Sequence, residues 1–261
     1  MKDGLFPSHT PFLPWLPGET LFSLCSRHHR LWGHSSSWKS TQMLLGGRRA
    51  GAQHDFPSAI DEFVRRTDAA FGTAATIAKE RTLLRYYRPF VPAHEVGDIV
   101  RTMRGPSVAH LKFRLGLLTS RFRANHPLKA CETCLRTDWE EHGWVYWHLQ
   151  HQFPGVWVCP WHGQPLLTSK LKSTGVERFQ WHLPDASALT AGWSPGPAGS
   201  EWALLRLANL TAGLVEHPGP DGWLDPPAVQ AALRARLTDC LAMAAVGVAD
   251  YSFAEEPNRA N

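Results

Sequence analysis

The sequence of 261 residues lacks any long apolar run. Its longest apolar stretch, Cys240 to Ala249, is about half of the roughly 20 residues that a membrane-spanning helix requires, so we expect no membrane segment. The N-terminal residues contain prolines and do not form the continuous apolar core of a secretory signal. We therefore expect a cytoplasmic protein, whose five cysteines are better suited to metal binding or core packing than to disulfides.

Catalytic signatures are also missing. The sequence contains no His-Glu-x-x-His metalloprotease motif and no Gly-Lys-Ser/Thr phosphate loop. The His-x-Glu signature of zinc nucleobase deaminases does not occur either. The sequence therefore predicts a protein that is not an enzyme.

Positive charge is concentrated in one half of the chain. Residues 1–130 carry 19 Lys+Arg against 9 Asp+Glu, a net charge of +10, whereas the remaining residues are net acidic. Lysine and arginine side chains supply most nonspecific affinity for nucleic-acid phosphates. This asymmetry favours a polyanionic partner for the first half, although an ordinary solvated basic surface has the same composition.

Two short helices are predicted near the N-terminus. Apolar residues recur at helical spacing from Glu19 to Trp32, and a second helix follows the serines 35–37 and ends at Gly46. Two short helices joined by a turn that contains glycine are typical of a helix-turn-helix, and also of an ordinary αα-hairpin. The candidate phosphate or partner contacts on this pair are basic: Arg27, Arg30, Lys39, Arg48 and Arg49.

The remaining pattern is mainly helical. Further helices are predicted over Ser58–Asp68, Thr73–Tyr86, Ala93–Arg104, Glu201–Val215 and Pro226–Val248, the last with an apolar stripe that includes Val229, Leu233 and Leu237. We expect a basic helical domain with the helix-turn-helix (1–130), a zinc-finger module (131–183), a linker (184–200), C-terminal helices (201–250) and a flexible tail (251–261).

The most specific motif is a pair of metal-binding knuckles. Cys131 and Cys134 are separated by two residues, as are Cys159 and His162, and 24 residues lie between the two pairs. Three thiolates and one imidazole can complete a tetrahedral zinc site with no position left for water. The spacing therefore predicts one structural Zn²⁺, with a helix over Asp138–Gln150 between the knuckles. His148 and His151 are interpreted as packing groups or partners of the ligands.

These motifs resemble a known family. The strings PWLPGETLFSLCSRHHRLWGH (14–34), LLRYYRPFVP (83–92) and GWVYWHLQHQFPGVWVCPWHG (143–163), together with CETC (131–134), are similar to the TniQ/TnsD family of transposition target-selection proteins. The resemblance covers roughly residues 12–168. It agrees with a helix-turn-helix followed by a zinc module, both of which recur in that family.

The resemblance implies a non-catalytic adaptor. Such a protein recognises double-stranded DNA at an attachment site, or a target-bound guide-RNA (CRISPR effector) complex, and recruits an AAA+ ATPase that regulates the transposase. Site-specific members of the family are longer, with further DNA-contacting domains, which favours a compact adaptor that depends on its partners for target choice. The alternative from the residues alone is a stand-alone transcription regulator with a helix-turn-helix and a zinc module.

Overall fold

The computed structural model describes residues 12–118, 125–192 and 200–216, together with a few positions between 224 and 235. This part of the chain contains ten α-helices and a small sheet, which confirms the mainly helical fold class. The helices are α1 (Leu21–Leu31), α2 (Ser37–Leu45), α3 (Ile60–Arg66), α4 (Ala74–Glu80), α5 (Leu84–Tyr87), α6 (Ala93–Arg104), α7 (Leu111–Arg114), α8 (Glu132–His142), α9 (Leu149–Gln152) and α10 (Ser200–Glu216). The strands are β1 (Lys129–Ala130), β2 (Leu167–Ser169) and β3 (Leu189–Ala191).

The predicted pair of N-terminal helices is present as α1 and α2. The Thr20 hydroxyl accepts a hydrogen bond from the first turn of α1, and the Ser36 hydroxyl does the same for α2. Gly33 and Gly46 adopt positive φ angles of 61° and 60° where the two helices end. The polar N-caps and terminal glycines therefore set the bounds of both helices, and α1 begins two residues later and ends one residue earlier than predicted.

Helix α1 is the centre of the helical body. Residues 21–28 are all buried, so this helix is covered on every side over two turns. The core around it is apolar, and Leu24, Leu44, Ile60, Ile77 and Ile99 are each at most 1% exposed. These residues come from five different helices, α1 to α4 and α6, which the core holds together by hydrophobic burial.

The single helix predicted over Thr73–Tyr86 is wrong, because the chain forms α4 and α5 with a break between them. At the break, the Arg81 carbonyl accepts a hydrogen bond from the Leu21 N–H at 2.8 Å. The Leu83 N–H donates to the Asp55 carbonyl at 3.2 Å. Contacts with distant parts of the chain thus replace the bonds that would have continued the helix.

The segment 184–200, predicted as a linker, contains part of the sheet. Strand β3 pairs antiparallel with β2, which pairs antiparallel with β1, in the order β1-β2-β3. The interpretation of a linker is therefore wrong for Leu189–Ala191, whose backbone groups are bonded within this sheet. A three-residue strand in a stretch rich in Ala, Gly, Pro and Ser gives too short a pattern to predict.

The entrance to α1 is bound directly to the chain between the knuckles. The Leu149 N–H donates to the Gly18 carbonyl at 2.8 Å, and the Thr20 N–H donates to the Trp147 carbonyl at 3.2 Å. Between these bonds, Glu19 and His148 form an isolated antiparallel bridge. The helical body and the cysteine-containing segment are thereby joined through their backbones.

The described residues cover the C-terminal expectations only in part. The predicted helix over Glu201–Val215 is confirmed as α10, whereas most of Pro226–Val248 and all of the tail 251–261 lie outside them. Among the helices that the structure describes, none has the length and apolar character that crossing a membrane requires.

Candidate metal centre and basic surface

The two predicted knuckles converge on one point. The Sγ of Cys134 lies 3.7 Å from the Sγ of Cys159, and the Nδ1 of His162 lies 3.3 to 3.5 Å from all three sulfurs. The four candidate ligand atoms, which also include the Sγ of Cys131, all lie within 4.8 Å of one another. The three cysteines are buried and His162 is exposed, so the cluster has one edge at the surface.

Different elements deliver the four side chains. Cys131 immediately precedes α8 and Cys134 lies in its first turn, where the positive end of the helix dipole favours thiolates. In the second knuckle, the Gly163 N–H donates to the Cys159 carbonyl at 2.8 Å and closes a tight turn. The pairing of Ala130 with Leu167 then holds the start of the first knuckle beside the end of the second.

The helix predicted over Asp138–Gln150 is wrong in its placement. Helix α8 begins directly after Cys131 and ends at His142, before Gly143, which has a positive φ of 67°. Residues 143–148 are not helical, and α9 begins only at Leu149. This irregular stretch provides the backbone bonds to the entrance of α1, which a continuous helix could not offer.

The cluster geometry fits a tetrahedral metal ion. With metal–sulfur bonds of ~2.3 Å and metal–nitrogen bonds of ~2.0–2.1 Å, the edges of the tetrahedron are about 3.5–3.8 Å, close to the observed separations. Three sulfurs and one imidazole nitrogen are a donor set that suits Zn²⁺. These four side chains could therefore hold a metal ion, and they would fill every position of a tetrahedral site.

His151 lies directly beside the sulfurs. It is fully buried, and its Nε2 lies 3.5 Å from the Sγ of Cys159 and 3.8 Å from that of Cys134. Burial lowers the pKa of His151 well below its usual value, so the ring is neutral and its Nε2–H can donate to a thiolate. His148 points elsewhere, with its Nε2 2.7 Å from the Asp138 carboxylate.

Lys129 and Gln152 position the knuckles, and sequence reasoning missed both. The ammonium of Lys129 is buried and donates to the carbonyls of Phe153, at 3.0 Å, and Val156. The Gln152 side chain bonds both the N–H and the carbonyl of Lys129. Burial lowers the pKa of Lys129 to about 7. In the sequence, Lys129 is one more basic residue of the first half, and nothing marks it as buried.

Arg27 is not a surface residue, and its assignment as a phosphate or partner contact is wrong. It is 1% exposed, and its guanidinium forms a two-point ion pair with Glu19 at 2.8 and 2.9 Å. The same guanidinium donates to the carbonyl of Pro14 at 2.6 Å. Arg27 therefore holds the entrance of α1 in place, because a buried guanidinium needs a partner for its charge and for its N–H groups.

The other predicted contacts are exposed on or beside the helix pair. Lys39 lies on the outer side of α2, and Arg48 and Arg49 follow that helix. The Arg49 guanidinium stacks over the half-exposed ring of Trp38, 5.3 Å from its centroid. Arg30, at the end of α1, pairs with Asp185 at 3.1 Å, so part of its charge is already balanced. We define Lys39, Arg48 and Arg49 with Trp38 as the α2 surface.

A helical protein with a Cys3His cluster built into its fold is the class that this architecture defines. The TniQ family model matches residues 10–166, more than half of the chain, and the chain therefore belongs to the TniQ family. The match includes the helix pair and all four residues of the cluster, and it associates the chain with DNA transposition. A comparison with curated proteins found no match.

Proposed function

We propose that this chain is a non-catalytic adaptor in DNA transposition. It links target DNA, or a complex bound to the target, to an AAA+ ATPase that regulates the transposase. The observation that carries the proposal is the family match over residues 10–166, which contains both the α2 surface and the Cys3His cluster. Membership of the family supports the role in transposition, and the ATPase partner is what the resemblance to that family implies. The geometry of these two features supports the zinc site and the contact with DNA.

The cluster supports a structural zinc rather than a reacting one. Cys131, Cys134, Cys159 and His162 would hold Zn²⁺ through all four tetrahedral positions, which leaves no place for a bound water or substrate. When bound, the ion supplies a cross-link between the two knuckles. Since the segment between them is bonded to the entrance of α1, the metal would also fix the chain against the helical body.

The α2 surface supports contact with a polyanion. Its three cationic side chains are exposed, and the stacked Arg49 and Trp38 offer a charged and a flat apolar group side by side. Arginine and lysine bind phosphates, and aromatic rings add contacts to sugars and bases. Double-stranded DNA, alone or within a target-bound complex, is therefore the partner that we assign to this surface.

Co-sedimentation with an AAA+ ATPase that regulates a transposase tests the adaptor role. The full chain, the ATPase and linear DNA are mixed with ATP or ADP, and the pelleted fractions are compared with mixtures that lack each component. We expect the chain to enter the pellet with the ATPase and DNA together. The variant K39A/R49A should reduce the fraction of the chain that enters the pellet because of DNA, and it should leave direct binding to the ATPase unchanged.

A control variant removes two exposed positive charges elsewhere, each of which is paired with a carboxylate. Arg65 on α3 and Arg101 on α6 lie outside the α2 surface, so R65A/R101A changes the net charge by the same amount. This variant should behave as the unmodified chain. Absence of association with the ATPase in either nucleotide state would contradict the adaptor role. A sequence-selective footprint by the chain alone would instead favour the transcription regulator.

A further inference from the structure

A cleft of about 400 Å³ lies beside the α2 surface. One wall carries Trp38 and Arg49, which belong to that surface. The second wall is formed by Val176, Phe179 and Gln180, which follow the cysteine cluster in the sequence. The family match ends at residue 166, so the second wall lies outside the matched residues.

Trp181 holds the two walls together. It directly follows the second wall, and its backbone N–H donates to the Ser37 hydroxyl at 3.1 Å. Its indole N–H donates to the Thr41 hydroxyl at 3.0 Å. The ring is buried and packs against Phe22 of α1, with the ring centroids 5.1 Å apart. Because a buried side chain bonds the second wall to α2 at two points, the cleft is a preformed part of the fold.

The next residue bonds the second wall to the cysteine-containing part of the fold. The carbonyl of His182 accepts a hydrogen bond from the indole N–H of Trp147, between the knuckles, at 2.8 Å. The Nε2 of His182 lies 3.0 Å from the hydroxyl of Ser169 in β2. The cleft therefore lies where the helix pair and the cysteine-containing part of the fold meet.

The polar groups that line the cleft suit a phosphate. Arg49 supplies a guanidinium, and the serines 35–37 supply hydroxyls. The Ser36 and Ser37 hydroxyls each accept a hydrogen bond from a backbone N–H, and a hydroxyl that accepts one bond can still donate its own hydrogen. Among the described residues that line the cleft, none is acidic. A guanidinium and several hydroxyl donors without a carboxylate favour an anionic acceptor.

The second wall adds apolar surface and a further positive charge. Val176 is 72% exposed, and Phe179 is partly buried. The guanidinium of Arg178 lies over the Phe179 ring, 4.5 Å from its centroid. The carboxylate of Glu177 accepts a hydrogen bond from the Lys172 N–H at 2.8 Å, and Glu177 is not among the described residues that line the cleft. In DNA, each phosphate is flanked by a sugar with C–H groups, which this apolar surface can contact.

We propose that this cleft binds one phosphate of double-stranded DNA together with its sugar. Arg49 and the serine hydroxyls bind the phosphate, and Val176 packs on the sugar. The proposal rests on the contact with DNA that we assign to the α2 surface, and it extends that contact to the second wall. Because the cleft shares Trp38 and Arg49 with the α2 surface, one DNA strand can contact both.

Fluorescence anisotropy with a short DNA duplex tests the second wall in the full chain. Q180E keeps the shape of an exposed side chain and places a carboxylate beside the bound phosphate. Binding at low salt should weaken about fivefold, because two like charges repel each other at close range. Q230E makes the same change at an exposed position that does not line the cleft, and it should bind as the unmodified chain does. Equal affinities of Q180E and the unmodified chain would overturn the proposal.

Photocross-linking tests direct contact. A benzophenone side chain, which reacts with nearby C–H groups, replaces Val176 in one variant and Trp139 of α8, which is 63% exposed, in a control variant. We expect the DNA to cross-link at position 176 and not at position 139. Equal cross-linking at both positions, or none at 176, would overturn the proposal.

The variant K39A/R49A distinguishes failure of this proposal from failure of the proposed function. If K39A/R49A weakens DNA binding while Q180E does not and position 176 does not cross-link, the α2 surface binds DNA without the cleft, and only this proposal is overturned. If the unmodified chain does not bind DNA, the contact assigned to the α2 surface is wrong, and this proposal is wrong with it.

Discussion

Two regions of the molecule use the same kinds of polar side chain in opposite ways. The first region is the cysteine cluster together with the entrance of α1, and the second is the α2 surface. In the first region, Arg27 is buried and its charge is met by Glu19, and Lys129 donates to two backbone carbonyls. In the second, Lys39, Arg48 and Arg49 are exposed. A cation in the first region supports the fold, whereas one in the second is available to a partner. Changes in the first should therefore alter stability, and changes in the second should alter binding alone.

Metal removal should have the largest effect. A structural zinc contributes on the order of 10 kcal/mol to the folding of a small site, so a chelator should unfold the segment between the knuckles. Hydrogen exchange followed by mass spectrometry should show lost protection over residues 129–169, and metal analysis should find one zinc per chain. C131S should behave as the chelated protein.

Cys25 provides the control for that experiment. It is buried in α1 and lies outside the cluster, so C25A should retain the full metal content and the protection of residues 129–169. If the chelated protein kept its hydrogen-exchange protection over residues 129–169, the cluster would not support the fold. The contrast between the cluster region and the α2 surface would then be wrong.

Breaking the ion pair at the entrance of α1 should have the next largest effect. E19Q leaves the guanidinium of Arg27 buried without an opposite charge, which costs about 3–5 kcal/mol. Urea unfolding followed by circular dichroism should show the corresponding decrease in the free energy of unfolding. D98N removes the partner of Arg101 in an exposed pair and should have a much smaller effect, since solvent screens such pairs. Similar decreases in the free energy of unfolding of E19Q and D98N would contradict a special role for the buried ion pair.

Acid should destabilise the same region through His28. Its Nδ1 lies 2.8 Å from the Leu24 carbonyl, and its Nε2 accepts from the Leu13 N–H at 3.0 Å, so the neutral ring is fully bonded. Burial lowers the pKa of His28 from 6.5 to about 4. The folded state thus binds the proton less readily than the unfolded state, and stability that is present above pH 6.5 falls as the pH drops toward 4, by up to about 3 kcal/mol.

NMR titration of the His28 ring checks this prediction directly. The ring should remain neutral at pH 6 and become protonated only near pH 4. A midpoint close to 6.5 would mean that the ring is solvated, and the expected loss of stability would then be absent.

The parts of the molecule that could be predicted from the sequence have local signals. The bounds of α1, α2 and α6 follow from caps, glycines and apolar spacing, and the convergence of the four cluster residues follows from two pairs with the spacing of knuckles. Such signals act within a few residues, so they hold wherever distant contacts do not compete with them.

The parts that could not be predicted depend on distant contacts. Arginine is a residue type that usually lies at the surface, and the guanidinium of Arg27 is enclosed only because residues 14–19 fold around it. The break between α4 and α5 is made by Leu21 and Asp55, which are far away in sequence. Lys129 is buried because the chain before the second knuckle surrounds it. A single sequence contains no signal for these contacts between distant residues.

The α2 surface should show the smallest effect on stability and a clear effect on binding. If Lys39 and Arg49 each contact a phosphate, K39A/R49A should leave the free energy of unfolding nearly unchanged. The slope of log K against log salt for binding to double-stranded DNA should fall by about two, one for each lost contact. Fluorescence anisotropy over a salt series measures this slope, and R65A/R101A should keep that of the unmodified chain. An unchanged slope in K39A/R49A would mean that the α2 surface binds a protein partner and not DNA, because counterion release scales with the number of phosphates that are neutralised.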